Sequence, residues 1–418
     1  MVDSITGEFP VSSFQFLVRR EQETRNRELE TNYGRFDACR AEQISLRCLL
    51  GLAFSLAFLF SGPSSVLAQP LQKTVAMIGA RSGASWPLWI AKDAGLYAKY
   101  GLDVELVYAV HPAPIAAIIS GQAAMTSSGS DPALLAASKD PGLVVLGGFM
   151  NKGSFAMIGS KTTTDMKQLA GKKVGIGRVG DPPYHMAASL LKKYGMTTRD
   201  VQWVSIGVDA ATRAAALQSG QVDAALITAP AYFRLQTAGL PVLAVLLDHD
   251  DIYVSTYYLF RRDALTRERS MALAFIKAHA EAIKRFYEDK SLATRIMIKY
   301  GGARNVEDAN QVYELFRKAR VLEAIPYALK GSVDAVVERQ GQELKGGDLS
   351  KMIDNSLVDQ LVREKFFETT FGASIREEQQ RKQSEALGDK KRAVQGSTLK
   401  VQSVRSLISI LELHLRIP

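Results

Sequence analysis

The run from Gly171 to Lys193, GKKVGIGRVGDPPYHMAASLLKK, gathers the residue types that most plainly suggest chemistry. Gly175, Gly177 and Gly180 form a glycine-rich turn, and Asp181 stands just before Pro182 and Pro183. A carboxylate there can cap a helix, and prolines suit a first helical turn, where no N–H is needed. A strand running into a helix N-terminus aims backbone N–H groups at one point, which favours an anion or a polar ligand atom. Gly175-Ile-Gly177-Arg-Val-Gly180 is also a literal GxGxxG. As a dinucleotide fingerprint it needs a following βαβ unit and an acid for the ribose, for which Asp200 or Asp209 is available. The other reading is a glycine turn in a different α/β domain, and the rest of the chain favours it.

The same arrangement recurs. Ser85-Trp86-Pro87, Ser130-Asp131-Pro132, Thr228-Ala229-Pro230 and, without proline, Asp209 each stand at an expected helix start. Singly each is an ordinary N-cap. In an open α/β sheet such starts gather at the carboxyl ends of the strands, where these folds bind ligands, and five of them favour a ligand cleft. Arg81 and Arg178 can clamp a carboxylate or sulfonate, because a guanidinium suits bidentate oxyanions; solvated surface is the plain alternative. His111, His185, His249 and His279 are isolated, with neither HExxH nor His-x-His spacing, so no metal is expected. There is no GxSxG. No catalytic residue and no cofactor is expected, although a carboxylate pair in an exported enzyme would not show in one sequence.

The elements that must position these residues alternate. Strands are expected at Thr74–Ile78, Leu102–Tyr108, Ala124–Ser127, Leu143–Leu146, Phe155–Ile158, Lys173–Ile176, Val201–Ser205, Asp223–Ile227, Val242–Leu247 and Tyr257–Phe260, with helices between most of them. This predicts parallel sheets covered by helices. From Arg262 the pattern is mostly helical, with helices expected at Arg267–Glu288, Ser291–Tyr300, Val306–Ala319, Ser332–Glu338 and Ser356–Phe366. Residues 373–418 turn polar and read as a disordered tail with a possible terminal helix at Leu399–Ile417.

The chain has 418 residues, enough for two domains, and a dispersed formal charge of +9. No basic run or nucleic-acid module accompanies that charge, so nucleic acid is not an expected partner. Residues 1–45 are a polar leader that a later translation start would remove. Residues 46–68 read as a signal peptide: Arg47, the apolar run Cys48–Phe60, and a small-residue site ending at Ala68. The run is too short to span a membrane, and an N-terminal anchor is the alternative. Both cysteines, Cys39 and Cys48, precede Ala68, so a protein cleaved there has no disulfide, thiolate metal site or cysteine nucleophile.

Several phrases in order carry a resemblance: WPLWIAKDAGLYAKYGLDVELV (Trp86–Val107), AAIISGQAAMTSSGSDPALLAASK (Ala116–Lys139), LAGKKVGIGRVGDPPYHMAASLLKKYGM (Leu169–Met196), RAAALQSGQVDAALITAP (Arg213–Pro230) and LAFIKAHAEAIKRFYED (Leu273–Asp289). From about Lys73 to Phe371 the chain resembles the solute-binding proteins of ABC importers, in particular the NMT1/THI5-like and SsuA-like (nitrate, sulfonate, taurine) group. The resemblance implies a type II periplasmic-binding-protein fold, α/β, in which two lobes joined by a two-segment hinge close over a small molecule. The first lobe would be 71–155 plus 257–371 with its C-terminal helices, the second 156–256, with crossovers near Ser154–Ser160 and Ser255–Arg261. It further implies a periplasmic monomer that delivers its ligand to an ABC permease and its ATPase. A sulfonate or taurine-like anion is the first expectation. A thiamine-pyrimidine precursor, an aromatic acid, or a sensing role on the same fold are the alternatives. Members of the wider group that make the thiamine pyrimidine carry a cysteine-rich iron motif, which this sequence lacks after Ala68.

In such a cleft the expected contacts from the first lobe are Arg81, Ser82, Ser85 and Trp86, then Ser127, Ser128, Gly129 and Ser130. From the second come Arg178, Gly180, Asp181 and Tyr184, with Asp209, Thr228 and Pro230 behind them. Trp86 and Tyr184 can sandwich an apolar body or simply pack at helix starts. A carboxylate facing the ligand would favour an amine, pyrimidine or zwitterion; one that caps its own helix would not. The sequence leaves that sign open.

Overall fold

The computed structural model describes residues 70–386, apart from 208, 250–252, 254, 255 and 345–347. The leader, the signal peptide and the terminal helix at Leu399–Ile417 lie outside the described residues. The order is β1 (Gln72–Ile78), α1 (Trp86–Asp93), α2 (Leu96–Lys99), β2 (Leu102–Tyr108), α3 (Ala113–Ile119), β3 (Met125–Gly129), α4 (Ser130–Lys139), β4 (Leu143–Met150) and β5 (Phe155–Gly159). Then come β6 (Lys173–Ile176), α5 (Pro182–Lys193), β7 (Gln202–Ser205), α6 (Ala210–Gln218), β8 (Ala224–Thr228), α7 (Ala231–Thr237), β9 (Val242–Val245) and β10 (Thr256–Arg261). The remainder is helical: α8 (Arg262–Arg267), α9 (Arg269–Glu288), α10 (Lys290–Tyr300), α11 (Val306–Lys318), α12 (Lys330–Leu344), α13 (Leu349–Met352), α14 (Ser356–Arg363), α15 (Phe366–Phe371) and α16 (Ile375–Glu385).

Two sheets result, β2-β1-β3-β10-β4 and β7-β6-β8-β5-β9. Neither is purely parallel, contrary to the sequence expectation. β10 runs antiparallel to β3 and β4, and β5 antiparallel to β8 and β9. These are the two strands the chain enters after passing from one sheet to the other. It leaves the first sheet at the carboxyl end of β4 and enters the second beside the carboxyl end of β8, where Phe155 pairs with Thr228. It returns with Thr256 beside Gly129. A strand entered at the edge where its neighbours end must run against them.

The passages also differ from those expected. Phe155–Gly159 and Thr256–Arg261 are strands, and the link out of the first sheet is Asn151–Ser154.

β4 is an outer strand, yet each of its residues is buried. The C-terminal segments cover its free side through the bridges Val145–Ile353 and Met150–Leu322, which hides the unpaired edge. At Gly147, with φ +130°, a Cβ would lie 1.7 Å from the Pro326 carbonyl, so only glycine allows that approach.

The helical segment is organised by α9, whose buried stripe includes Phe275, His279, Ile283 and Phe286 at helical spacing. Trp86 packs edge-on against Phe286 and Phe316 at 4.8 and 5.4 Å between ring centroids. Its indole N–H donates to the Ala293 carbonyl at 2.7 Å.

The polar tail expected from residue 373 begins instead with a packed helix, α16. Lys382 is fully buried, its ammonium between Glu323 Oε2 (2.5 Å) and the Ile325 carbonyl (3.1 Å). Pairing is what allows this charge inside, and composition does not reveal pairing. Among the described residues no helix is long and apolar enough to cross a membrane.

Candidate functional site

The carboxyl ends of both sheets open on one cleft of about 800 Å³. The residues that end β2, β3, β4 and β8, namely Tyr108, Gly129, Met150 and Thr228, line it, as do Phe155 and Thr256, which begin the two reversed strands. Its volume is that of a small-molecule site. A wider groove of about 1570 Å³ runs along the β1–β2 edge of the first sheet; of the expected contact residues it holds only Arg81.

Of the residues singled out in the sequence, Arg81, Ser82, Ser85, Ser127, Ser128, Gly129, Ser130, Arg178, Gly180, Asp181, Asp209 and Thr228 all line the cleft. The fold thus brings together twelve residues spread over a long stretch of chain, because each ends a strand or starts the next helix. Three do not line it. Trp86 is fully buried behind the helix start, held by the aromatic cluster and by Ala293. Tyr184 turns away onto Trp203, ring centroids 4.9 Å apart. Pro230 sits at the start of α7, after a cis Ala229–Pro230 bond. The aromatic sandwich of Trp86 and Tyr184 is therefore withdrawn: large apolar rings at helix starts are drawn into the lobes, not held in a solvated cleft.

The glycine-rich motif now has its physical reason. Asp181 folds back over the turn, with Oδ2 accepting from Arg178 N and Oδ1 from Tyr184 N, both at 2.8 Å. A Cβ at Gly177 would lie 2.0 Å from Asp181 Oδ2, and Gly180 has φ +85°. The turn is built around its own capping carboxylate. Pro182 and Pro183 carry no N–H, so little is left to cradle a pyrophosphate, and the dinucleotide reading loses its donors.

The carboxylates of the cleft are all engaged. Asp131 receives Arg339 through Nε at 3.0 Å and Nη2 at 2.9 Å, together with Gln340 at 3.3 Å. Burial alone would raise its pKa, but the Arg339 hydrogen bonds and charge bring it below the usual range. Burial raises that of Asp181, against the two backbone donors and the Arg213 and Arg178 charges. Asp209 caps α6 through Ala211 N at 3.3 Å. Behind Asp181 and Asp209 the buried Arg213 holds the carbonyls of Leu226 and Gly207, each at 2.9 Å, and answers both negative charges.

The cations are freer. Among the described residues the Arg178 guanidinium has no carboxylate partner, and Arg81 lies over the Tyr108 ring, 4.4 Å from its centroid. Burial and the Arg178 charge push the His111 pKa down. The hydroxyls divide: Ser85 is tied to the Ala80 carbonyl at 2.7 Å and Ser130 to Asp131 Oδ2 at 3.1 Å. The Ser127 and Ser128 hydroxyls, beside the start of α4, which has no side-chain cap, make no side-chain hydrogen bond among the described residues.

The sequence reading missed His111, Asp131, Arg213 and Gln340 as cleft residues. Asp131 stood in a quoted helix start. His111 follows the end of β2, a position that could have drawn attention. Gln340 had no local signal: its helix was expected to end at Glu338, and it reaches the cleft only through the tertiary fold.

With this geometry in place, residues 84–292 match the family described as NMT1/THI5 like, half of the chain, and the protein belongs to that family. The fold is that of periplasmic binding proteins. One solved neighbour is a putative sulfonate ABC transporter periplasmic sulfonate-binding protein, SsuA, from Methylobacillus flagellatus. It is 19% identical with a TM-score of 0.57, over 70% of this chain and 94% of that one. The desulfurization enzyme DSZB is 17% identical with a TM-score of 0.53, over 70% and 99%. Both likenesses are of fold. A curated relative is the 4-amino-5-hydroxymethyl-2-methylpyrimidine phosphate synthase of Uromyces fabae, 27% identical over 144 residues. That match takes in 34% of this chain and 41% of the synthase's length.

Among the described residues no group of three or more His, Cys, Asp or Glu side chains could hold a metal ion.

Proposed function

We propose that this protein is the solute-binding component of an ABC importer, exported and cleaved near Ala68. In this reading it captures a small organic anion between its lobes and delivers it to a membrane permease. The observation that carries the reading is the charge balance of the cleft. Its carboxylates are matched by Arg339, by helix-start N–H groups and chiefly by Arg213, while Arg81 from one lobe and Arg178 from the other make no salt bridge among the described residues. A sulfonate or carboxylate supplies what those guanidinium groups lack, and the Ser127 and Ser128 hydroxyls can take its remaining oxygens. Because the contacts come from both lobes, only the closed form offers them all, and ligand shifts the population toward it.

The test is a thermal-shift screen of the purified chain, stripped of carried-over ligand, against taurine, alkyl and aromatic sulfonates, nitrate, bicarbonate, pyrimidines and aromatic carboxylates. A ligand at 100 times its Kd adds about 2.7 kcal/mol, worth several degrees in Tm. The expected result is a shift with a sulfonate or carboxylate that disappears in Arg178→Ala. A shift confined to amines or pyrimidines would overturn the anion reading.

The second reading, a pyrimidine-precursor protein or an enzyme, draws on the match to the synthase. Product analysis separates the two, since a binding protein returns its ligand unchanged.

A further inference from the structure

Helix α12 belongs to the C-terminal helical segment, far in sequence from both halves of the cleft, yet it touches each of them. On the first lobe Arg339 and Gln340 hold Asp131 of α4. On the second, the Gln340 amide nitrogen lies 2.8 Å from His185 Nε2 of α5. Two turns further along α5, Lys192 pairs with Glu338 at 2.9 Å, both largely exposed; such a pair adds little.

The environment of His185 Nε2 is contradictory in an informative way. It faces the Gln340 amide nitrogen at 2.8 Å and the Gly180 carbonyl, in its own lobe, at 3.1 Å. The amide orientation is set by Asp131, since an ionised carboxylate only accepts, so nitrogen and not oxygen must face it. The same nitrogen has a second hydrogen for His185. In the neutral tautomer that carries its proton on Nδ1, Nε2 accepts that hydrogen and ties the two lobes together through Gln340. Protonated, Nε2 becomes a donor, satisfied by the Gly180 carbonyl and opposed by the amide hydrogens. Gln340 cannot turn its oxygen toward the imidazolium without setting it against Asp131.

We propose that His185 and Gln340 form a proton-controlled latch between the lobes, engaged when the imidazole is neutral and released when it is charged. The charged groups facing His185 are Asp131 on α4, Arg339 on α12 and Asp181 at the start of its own helix; the Tyr184 ring packs edge-on beside it. Burial is the largest influence and lowers the His185 pKa, and the Arg339 charge adds to this; Asp131, the Gly180 carbonyl and Asp181 act the other way, and the net direction is down. Asp131 is answered by Arg339 and Asp181 by its capping donors, so the neutral form suits the latched state. The sign follows. The latched surroundings hold the His185 pKa below the usual imidazole value, so closure is favoured where the imidazole is neutral and is lost as falling pH protonates it.

The proposal rests on the two-lobed closure assumed above but on no particular ligand, so it is tested without one. Single-molecule energy transfer is measured between dyes on Gln122→Cys in the first lobe and Arg199→Cys in the second. The chain is otherwise full length, with Cys39→Ser and Cys48→Ser. The expected result is a closed-to-open ratio that falls from pH 8 to pH 5. That dependence is lost in His185→Gln, and in Gln340→Leu the ratio is low throughout. A distance distribution that does not change with pH, or a pH response undiminished in Gln340→Leu, overturns the latch. Gln340 is part-exposed on α12, so that variant decides the matter even where His185→Gln fails to fold. A failed sulfonate screen with an intact pH response would reject the ligand class and leave the latch standing.

Discussion

His279 shows how much of this protein's stability is decided by single buried groups. It lies in the α9 stripe, 2% exposed, with Phe149 and Tyr258 against its ring at 4.4 and 4.9 Å. Neither ring nitrogen has a partner among the described residues. Burial holds its pKa down at about 3. A group whose folded pKa lies below the unfolded value of about 6.5 leaves stability intact above that pH. It then withdraws stability as acid protonates the unfolded chain, at up to about 1.4 kcal/mol per pH unit. Urea unfolding at pH 7, 6, 5 and 4 should show this acid limb, and His279→Leu should flatten it. At pH 7 that substitution should be neutral or stabilising by about 1–3 kcal/mol, because it removes unsatisfied polar atoms while keeping most of the volume. Trp86 makes the opposite case. Trp86→Ala should cost about 3–5 kcal/mol in the same measurement, through loss of the packing on Phe286 and Phe316. Any loss of ligand binding should follow only from unfolding. Trp86 was legible as a helix-start residue, but its direction was not. The chain shows that a ring begins a helix, and only the packing of α9 and α11 shows that the ring faces inward.

At the level of elements, α16 is the instructive case. IREEQQRKQSE reads as solvated chain, and one lysine makes it part of the fold. Lys382 and Asn151 both bond Glu323 Oε2, and Asn151 opens the passage from the first sheet to the second. The helix is thereby tied to the hinge. Removing one partner of a buried pair strands the other charge, so Lys382→Ala should cost about 3–5 kcal/mol, and Lys382→Met less. Denaturant unfolding gives the energies, and limited proteolysis should show cleavage near residue 380 rising in the alanine variant. The strands and the five helix starts, by contrast, were readable, because period, caps and prolines are local signals. The reversal of β5 and β10 was not, since strand direction depends on which sheet edge the chain enters.

For the molecule as a whole, the proposed function turns on how closely the lobes meet. A Cβ at Gly129, in the first lobe, would lie 3.7 Å from Pro182 Cγ in the second, and the backbone there, φ −56° and ψ 150°, suits any residue. Gly129→Leu should therefore act as a wedge. The ligand-free melting temperature should stay within a few degrees of the parent, while the shift given by an anionic ligand is abolished. A large shift retained in that variant would mean that closure does not bring these two surfaces together. The proposed anion clamp predicts that affinity falls as salt rises, more steeply for the parent than for Arg178→Ala, which titration at two ionic strengths would measure.

What the chain determined by itself was local and repeated: strands followed by capped helix starts, arginines and hydroxyls at those starts, and the family phrases that order them. Such features need only neighbours within a few residues. The tertiary structure decided what the carboxylates of the cleft are paired with, because Arg339 and Arg213 lie against groups that the sequence could only list. It also decided that Trp86 and Tyr184 face away, and that α12 closes one side of the cleft with Gln340. Each of these depends on groups far apart in the chain being brought within a hydrogen bond of one another, and no spacing along a sequence records that.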